Sequence, residues 1–117
     1  MSVYRQLRVV EVGSVTVIRF ANSKIVDEAE IQELGSELFS LVEQESRESL
    51  LLNFEDVKFL SSAALGKLIK LDKIVKSNGG ELKLANIRPE ILEVFAITRL
   101  DKLFDIKGSE SEALAAF

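Results

Sequence analysis

Two short runs rich in β-branched residues, Leu7–Val12 and Val15–Phe20, flank Gly13-Ser14 and predict a β-hairpin with a glycine turn. Asn22-Ser23-Lys24 reads as a polar loop. The apolar spacing then changes from that of strands to that of a helix, with Ile31, Leu34, Leu38, Leu41 and Val42 on one face. Asp27 is the expected N-cap of this helix, which runs to about Gln44. Glu30 then falls at the third helical position, and Val26 stands opposite Ile31 as a hydrophobic staple. Gly35 lies inside the helix at a cost of about 1 kcal/mol relative to alanine, which close packing on the sheet would explain. Glu28, Glu33, Glu37, Glu43 and Glu45 read as a solvated face.

Leu50 to Phe54 shows no polar alternation, as expected of a central parallel strand covered on both sides. The stretch from Lys58 to Gly66 joins this strand to a second helix. With Ser61 as N-cap, Leu60 and Leu65 take the two staple positions, and Ser62 becomes the first helical residue, its hydroxyl not needed for capping. Ser62 therefore stands in the positive field of a helix start, where a phosphate would be stabilised. The ordinary reading, in which both serines are only capping residues, stands beside it. The helix extends to Ser77 and stops at Asn78-Gly79-Gly80. Leu65, Leu68, Leu71 and Val75 point inward, and Lys67, Lys70, Lys73 and Lys76 spread over the outer side as a solvated face or a contact for an acidic partner or anionic lipid. Asp72 falls on the buried side; either it pairs with a lysine at the helix edge or the face is tilted.

Glu81–Ala85 is a short strand, and Pro89 opens a third helix with Ile87 and Leu92 as a staple and Leu92, Phe95 and Ala96 as its apolar side. Leu103–Ile106 reads as a final strand, and Ser109 caps a terminal helix from Glu110 to Ala116. The order β-β-α-β-α-β-α-β-α predicts an α/β fold: a mixed, mostly parallel sheet with an antiparallel N-terminal hairpin and helices packed against it.

Composition narrows the chemistry. A chain of 117 residues is expected to form a single domain over residues 1–117. It contains neither cysteine nor histidine, so thiol nucleophiles, zinc-thiolate sites and Ser-His-Asp arrangements are excluded. No phosphate-binding glycine loop occurs, and the carboxylates show no metal or acid/base spacing, so neither an enzyme, a cofactor nor a metal is expected. The formal charge of −4 argues against nucleic acid as a partner. Met1 to Gln6 carries no signal-peptide core and no apolar run is long enough to span a bilayer, which together predict a cytoplasmic protein.

Leu52-Asn53-Phe54-Glu55-Asp56-Val57, Phe59-Leu60-Ser61-Ser62-Ala63-Ala64-Leu65-Gly66, the Gly79-Gly80 turn and Leu100-Asp101-Lys102-Leu103-Phe104 resemble the STAS domain family, named for sulfate transporters and anti-sigma factor antagonists. The resemblance covers nearly the whole chain. It implies a partner-switching module in transcription regulation. A serine at the position of Ser62 would be phosphorylated by an ATP-dependent anti-sigma serine kinase. The unphosphorylated form would bind that kinase, and a PP2C-type phosphatase would reset the cycle. Ser61 stands where the family has an aspartate and Ala64 where it has a glycine, which keeps Ser61 open as an alternative phosphorylation site.

The expected partner surface comprises Lys58, Ser61, Ser62, Ala63 and Ala64 with Asn22, Ser23, Lys24 and Asp27 of the preceding loop. Asp27 serves equally as a cap or as the family's acidic loop position. A non-catalytic scaffold or adaptor without a working phosphosite, which could include a homodimer, is the competing reading. A domain that binds a nucleotide or another small ligand is the third.

Overall fold

The computed structural model describes residues 4–117; of the N-terminal segment read above for a signal peptide, Met1 to Val3 lie outside the described residues. Strands β1 (Leu7–Val12) and β2 (Val15–Phe20) form the antiparallel hairpin, turned at Gly13 with φ +62°. The chain then runs through β3 (Lys24–Ile25), α1 (Glu28–Glu43), β4 (Ser49–Asn53), β5 (Phe59–Leu60), α2 (Ser62–Ser77), β6 (Glu81–Ala85), α3 (Pro89–Ile97), a 3-10 turn (Leu100–Lys102), β7 (Asp105–Lys107) and α4 (Glu110–Ala115). The main sheet has the order β1-β2-β4-β6-β7, with every pair after the hairpin parallel. A helix joins each successive parallel pair, because parallel neighbours cannot be linked by a tight turn.

The alternation of strand side chains divides β4 between two cores. Leu50 and Leu52 face α1, α2 and α3 together with Ile18, Phe54, Leu68, Leu71 and Leu84. Leu51 faces the other way, into a smaller cluster with Val15, Val17, Ala85 and Ala113 of α4. The larger core carries a chain of rings, Phe20–Phe54–Phe95–Phe104, with centroids 4.9, 6.5 and 5.8 Å apart. Each buried leucine or phenylalanine contributes about 1.5–3 kcal/mol, so the sheet is a firm platform for the loops at its end.

Several local expectations change. Gly35 of α1 packs against α2, not the sheet: a Cβ there would come within 2.8 Å of Lys67 Cδ. Lys67 crosses this gap to reach Gln32 Oε1 at 2.9 Å. Val26 is 55% exposed, so the staple with Ile31 does not close; Ile25 takes the inward position instead. On α3 the buried pair is Ile91 and Phe95, spaced four apart, whereas Leu92 and Ala96 face outward. The last strand begins at Asp105 because the amides of Leu103 and Phe104 both donate to Leu100 O, which ties them back to the end of the 3-10 turn. Part of the acidic side of α1 is engaged: Glu37 accepts from the amides of Arg5 and Gln6, and Glu33 from Gln6 Nε2. Asp72, 2% exposed, pairs with Lys76 Nζ at 2.9 Å, the first of the two alternatives.

Candidate functional site

Strand β4 ends at Asn53, whose Oδ1 accepts from the amide of Glu55 at 2.9 Å and so starts a turn. The amide of Val57 closes that turn onto Phe54 O. Val57 is buried, which anchors the returning chain before it enters β5. There it pairs in parallel with β3, Lys24 opposite Phe59 and Ile25 opposite Leu60. Ser23 O accepts from the amides of Lys58 and Phe59 at 2.8 and 3.2 Å, and Ile25 O accepts from the amide of Ser61 at 3.0 Å. This two-residue ladder brings the loop from Asn22 to Asp27 beside the start of α2.

Ser61 is the cap of α2. Its backbone is extended, its Oγ accepts from the amide of Ala64 at 3.3 Å, and its carbonyl accepts from the amide of Leu65. The half-buried Leu60 and the buried Leu65, the two expected staple positions, both pack against the core. Ser62 is the reverse case: it is exposed, and among the described residues its hydroxyl has no hydrogen-bond partner. No acidic residue occupies the first turn of α2, so the partial positive charge of the helix start is uncompensated there.

The other expected surface residues divide. Ala63 is exposed beside Ser62, while Ala64 is fully buried and lies beneath the surface. It cannot touch a partner in this fold, because its methyl group fills the core side of the first turn. Ser23, Lys24 and Lys58 are exposed, and Lys24 Nζ stands 5.5 Å from the centre of the Phe59 ring. Asn22 is half-buried and donates to Gln6 Oε1. Asp27 caps α1, its Oδ2 accepting from the amide of Glu30 at 3.0 Å.

Gly66 completes the surface. It lies on the exposed side of α2, and a Cβ built there would meet nothing within 4 Å. A glycine in a helix interior costs about 1 kcal/mol relative to alanine, and no internal contact accounts for this one. Ser62, Ala63 and Gly66 together give α2 a flat, uncharged face of small residues.

Among the described residues, the two displaced titrations lie elsewhere, on the sheet face beneath α4. The hydrogen bond to Asp105 holds Lys83 above the usual ammonium range, and the same bond holds Asp105 below the usual carboxylate range. Among the described residues no group of three or more acidic side chains is arranged to hold a metal, and no helix is long and apolar enough to cross a membrane.

The STAS domain profile matches residues 6–113, from the hairpin through α4. The chain belongs to the STAS family. This STAS domain is 30% identical over 93 residues to the candidate anti-sigma factor antagonist BtrV of Bordetella bronchiseptica, covering 80% of this chain and 79% of that protein. It is 35% identical over 75 residues to the anti-sigma-B factor antagonist of Bacillus subtilis, covering 64% and 67%. A solved STAS domain protein of Planctomyces limnophilus superposes with a TM-score of 0.84 at 26% identity, covering 94% of this chain and 96% of that one. The anti-sigma factor antagonist family is thus the setting in which the Ser62 surface is to be interpreted.

Two features of the site were not legible beforehand. The β3–β5 ladder is too short to leave a hydrophobic pattern. Arg88, just before Pro89, carries a buried Nε without a hydrogen-bond partner, and nothing but its place at a helix start singled it out.

Proposed function

We propose that this STAS domain is a phosphorylation-controlled anti-sigma factor antagonist. Unphosphorylated, it binds an anti-sigma serine kinase through Ser62, Ala63, Gly66 and the adjoining loop, with Ser23, Lys24 and Lys58 at the rim. Phosphorylation of Ser62 releases the kinase, and a PP2C-type phosphatase restores the binding form. The observation that carries the reading is the exposed, uncommitted hydroxyl of Ser62 at the start of a sixteen-residue helix with no acid in its first turn.

The physical consequence is asymmetric. A phosphate adds about −1.5 to −2 charges and three acceptor oxygens at a helix start, which stabilises it locally. The same charge buried against a partner that meets a flat neutral face has no counter-ion and is costly. The switch therefore acts on association and leaves the fold intact. Ser61 is the weaker acceptor, because its Oγ already caps the helix.

The test is incubation with an anti-sigma serine kinase from the same genome and ATP, followed by mass spectrometry of the peptide holding Ser61 and Ser62. One phosphate on Ser62, absent in Ser62→Ala, is expected; modification elsewhere or none overturns the reading. A second reading, a non-switching adaptor, draws on Ser61 standing where the family has an acid. It predicts that Ser62→Asp leaves partner binding unchanged.

A further inference from the structure

On this acidic chain, cations without a carboxylate partner gather beside β5. Two adjoining depressions open beside β5, one a groove of about 420 Å³ between β5 and α3, the other a polar cleft of about 550 Å³ at the ends of β2 and β4. Lys58 and Arg88 line both. In the cleft, Arg19 is paired with Glu55 at 3.1 Å and Asp56 at 3.5 Å. Among the described residues Arg8, Lys58 and Arg88 have no carboxylate partner, and Arg88 Nε is buried without any hydrogen bond. Arg88 lines both depressions, and its guanidinium offers an arriving carboxylate the fork geometry arginine favours.

The floor of the groove is apolar. Phe59 is 55% exposed, Val94 is exposed beside it, and Ile91 closes the bottom. Glu90 is the one acid on its wall, placed in the first turn of α3 where the helix start stabilises it. Lys58 and Phe59 belong to the segment that leads directly into Ser61 and Ser62, so the groove continues the surface proposed to bind the anti-sigma factor. On a protein of formal charge −4, cations left unpaired beside an exposed ring select an acidic segment with an apolar anchor.

We propose that the groove between β5 and α3 receives such a segment of the anti-sigma factor, with an apolar side chain on Phe59, Ile91 and Val94 and a carboxylate between Lys58 and Arg88. The identity of the partner rests on the reading above; the chemistry of the groove does not. The groove would strengthen the complex without touching Ser62, giving the partner a second foothold that phosphorylation does not remove.

The experiment is an amide NMR titration of the full chain with a synthetic acidic peptide of repeating Glu-Leu-Glu units, beside a Lys-Leu-Lys control, sodium phosphate and ATP. Shifts centred on Phe59, Leu60, Ile91 and Val94 are expected with the acidic peptide alone. They should weaken severalfold between about 50 and about 300 mM salt. Affinity should fall by about tenfold in Lys58→Gln/Arg88→Gln and separately in Phe59→Ser, each checked for an unchanged folded spectrum. Equal shifts with the basic control, or full binding by the double variant, overturn the proposal. So does capture of the same residues by phosphate or ATP, which would make this a small-anion site. Phosphorylation of Ser62 by the kinase with no peptide response in the groove would defeat this proposal alone. A groove response in a chain the kinase does not phosphorylate would uphold it and defeat the switch.

Discussion

Both α1 and α2 carry a glycine in their interior, and the two glycines have opposite explanations. Gly35 is occupied from outside its own helix: Lys67 lies where its Cβ would be. Gly66 faces open space. The same contrast separates the lysines. Lys83, 6% exposed in β6, is held by Asp105 at 2.6 Å and Glu81 at 3.4 Å, with its Nζ 5.0 Å from the centre of the Phe117 ring. Lys58 has no such partner among the described residues. Lys83 is satisfied within the fold, while the region around the start of α2 holds groups with no internal use. Groups of the second kind are where a partner is to be sought.

The two lysines should differ most in their effect on stability. Lys83→Ala removes a buried stem and leaves Glu81 without this partner and Asp105 with Lys107 alone, and should destabilise the fold by about 2 kcal/mol, whereas Lys58→Ala should stay within about 0.5 kcal/mol, both measured by urea unfolding. Equal losses would mean that Lys58 has a structural role after all. The adjacent serines should differ next: Ser61→Ala loses the cap and about 1 kcal/mol, while Ser62→Ala changes stability by only a few tenths. Gly66→Ala should stabilise the chain by up to about 1 kcal/mol while weakening partner binding. Gly35→Ala should gain less, because its methyl must displace Lys67 from Gln32.

The smallest effect concerns pH. Asp105 has a lowered folded pKa, so its contribution is present above the ordinary carboxylate range and fades as pH falls through the folded value. Lys83 has a raised one, so its contribution is present below the ordinary ammonium range and fades as pH rises through the folded value. Replacing Lys83 should flatten the alkaline limb and move the acid limb back toward the ordinary carboxylate range. Unchanged limbs in that variant would remove the pair from the account.

Much of the architecture was legible because it rests on long periodic segments. The run Leu50–Phe54 announced a strand buried on both faces, and the caps Asp27, Ser61 and Ser109 fixed three helix starts. The roll of α3 was not legible: Ile91 and Leu92 are adjacent and both apolar, and only packing beside Phe95 chose Ile91. Lys83 reads as an ordinary strand lysine, since its carboxylates come from β7 and from its own strand's start and its ring from the C-terminus. At the site, the free hydroxyl of Ser62 followed from the capping register. The ladder joining Ser23 and Ile25 to the residues before Ser61 depended on tertiary pairing that two residues cannot signal.

The central claim is that a charge at Ser62 changes what the domain binds and not how it folds. Its most direct test is Ser62→Asp, with urea unfolding and affinity for the anti-sigma serine kinase measured on the same preparation. Unfolding free energy within about 0.5 kcal/mol of the parent, together with affinity lowered by about a hundredfold, is the predicted result. Parent-like affinity, or a domain that no longer folds, would contradict it.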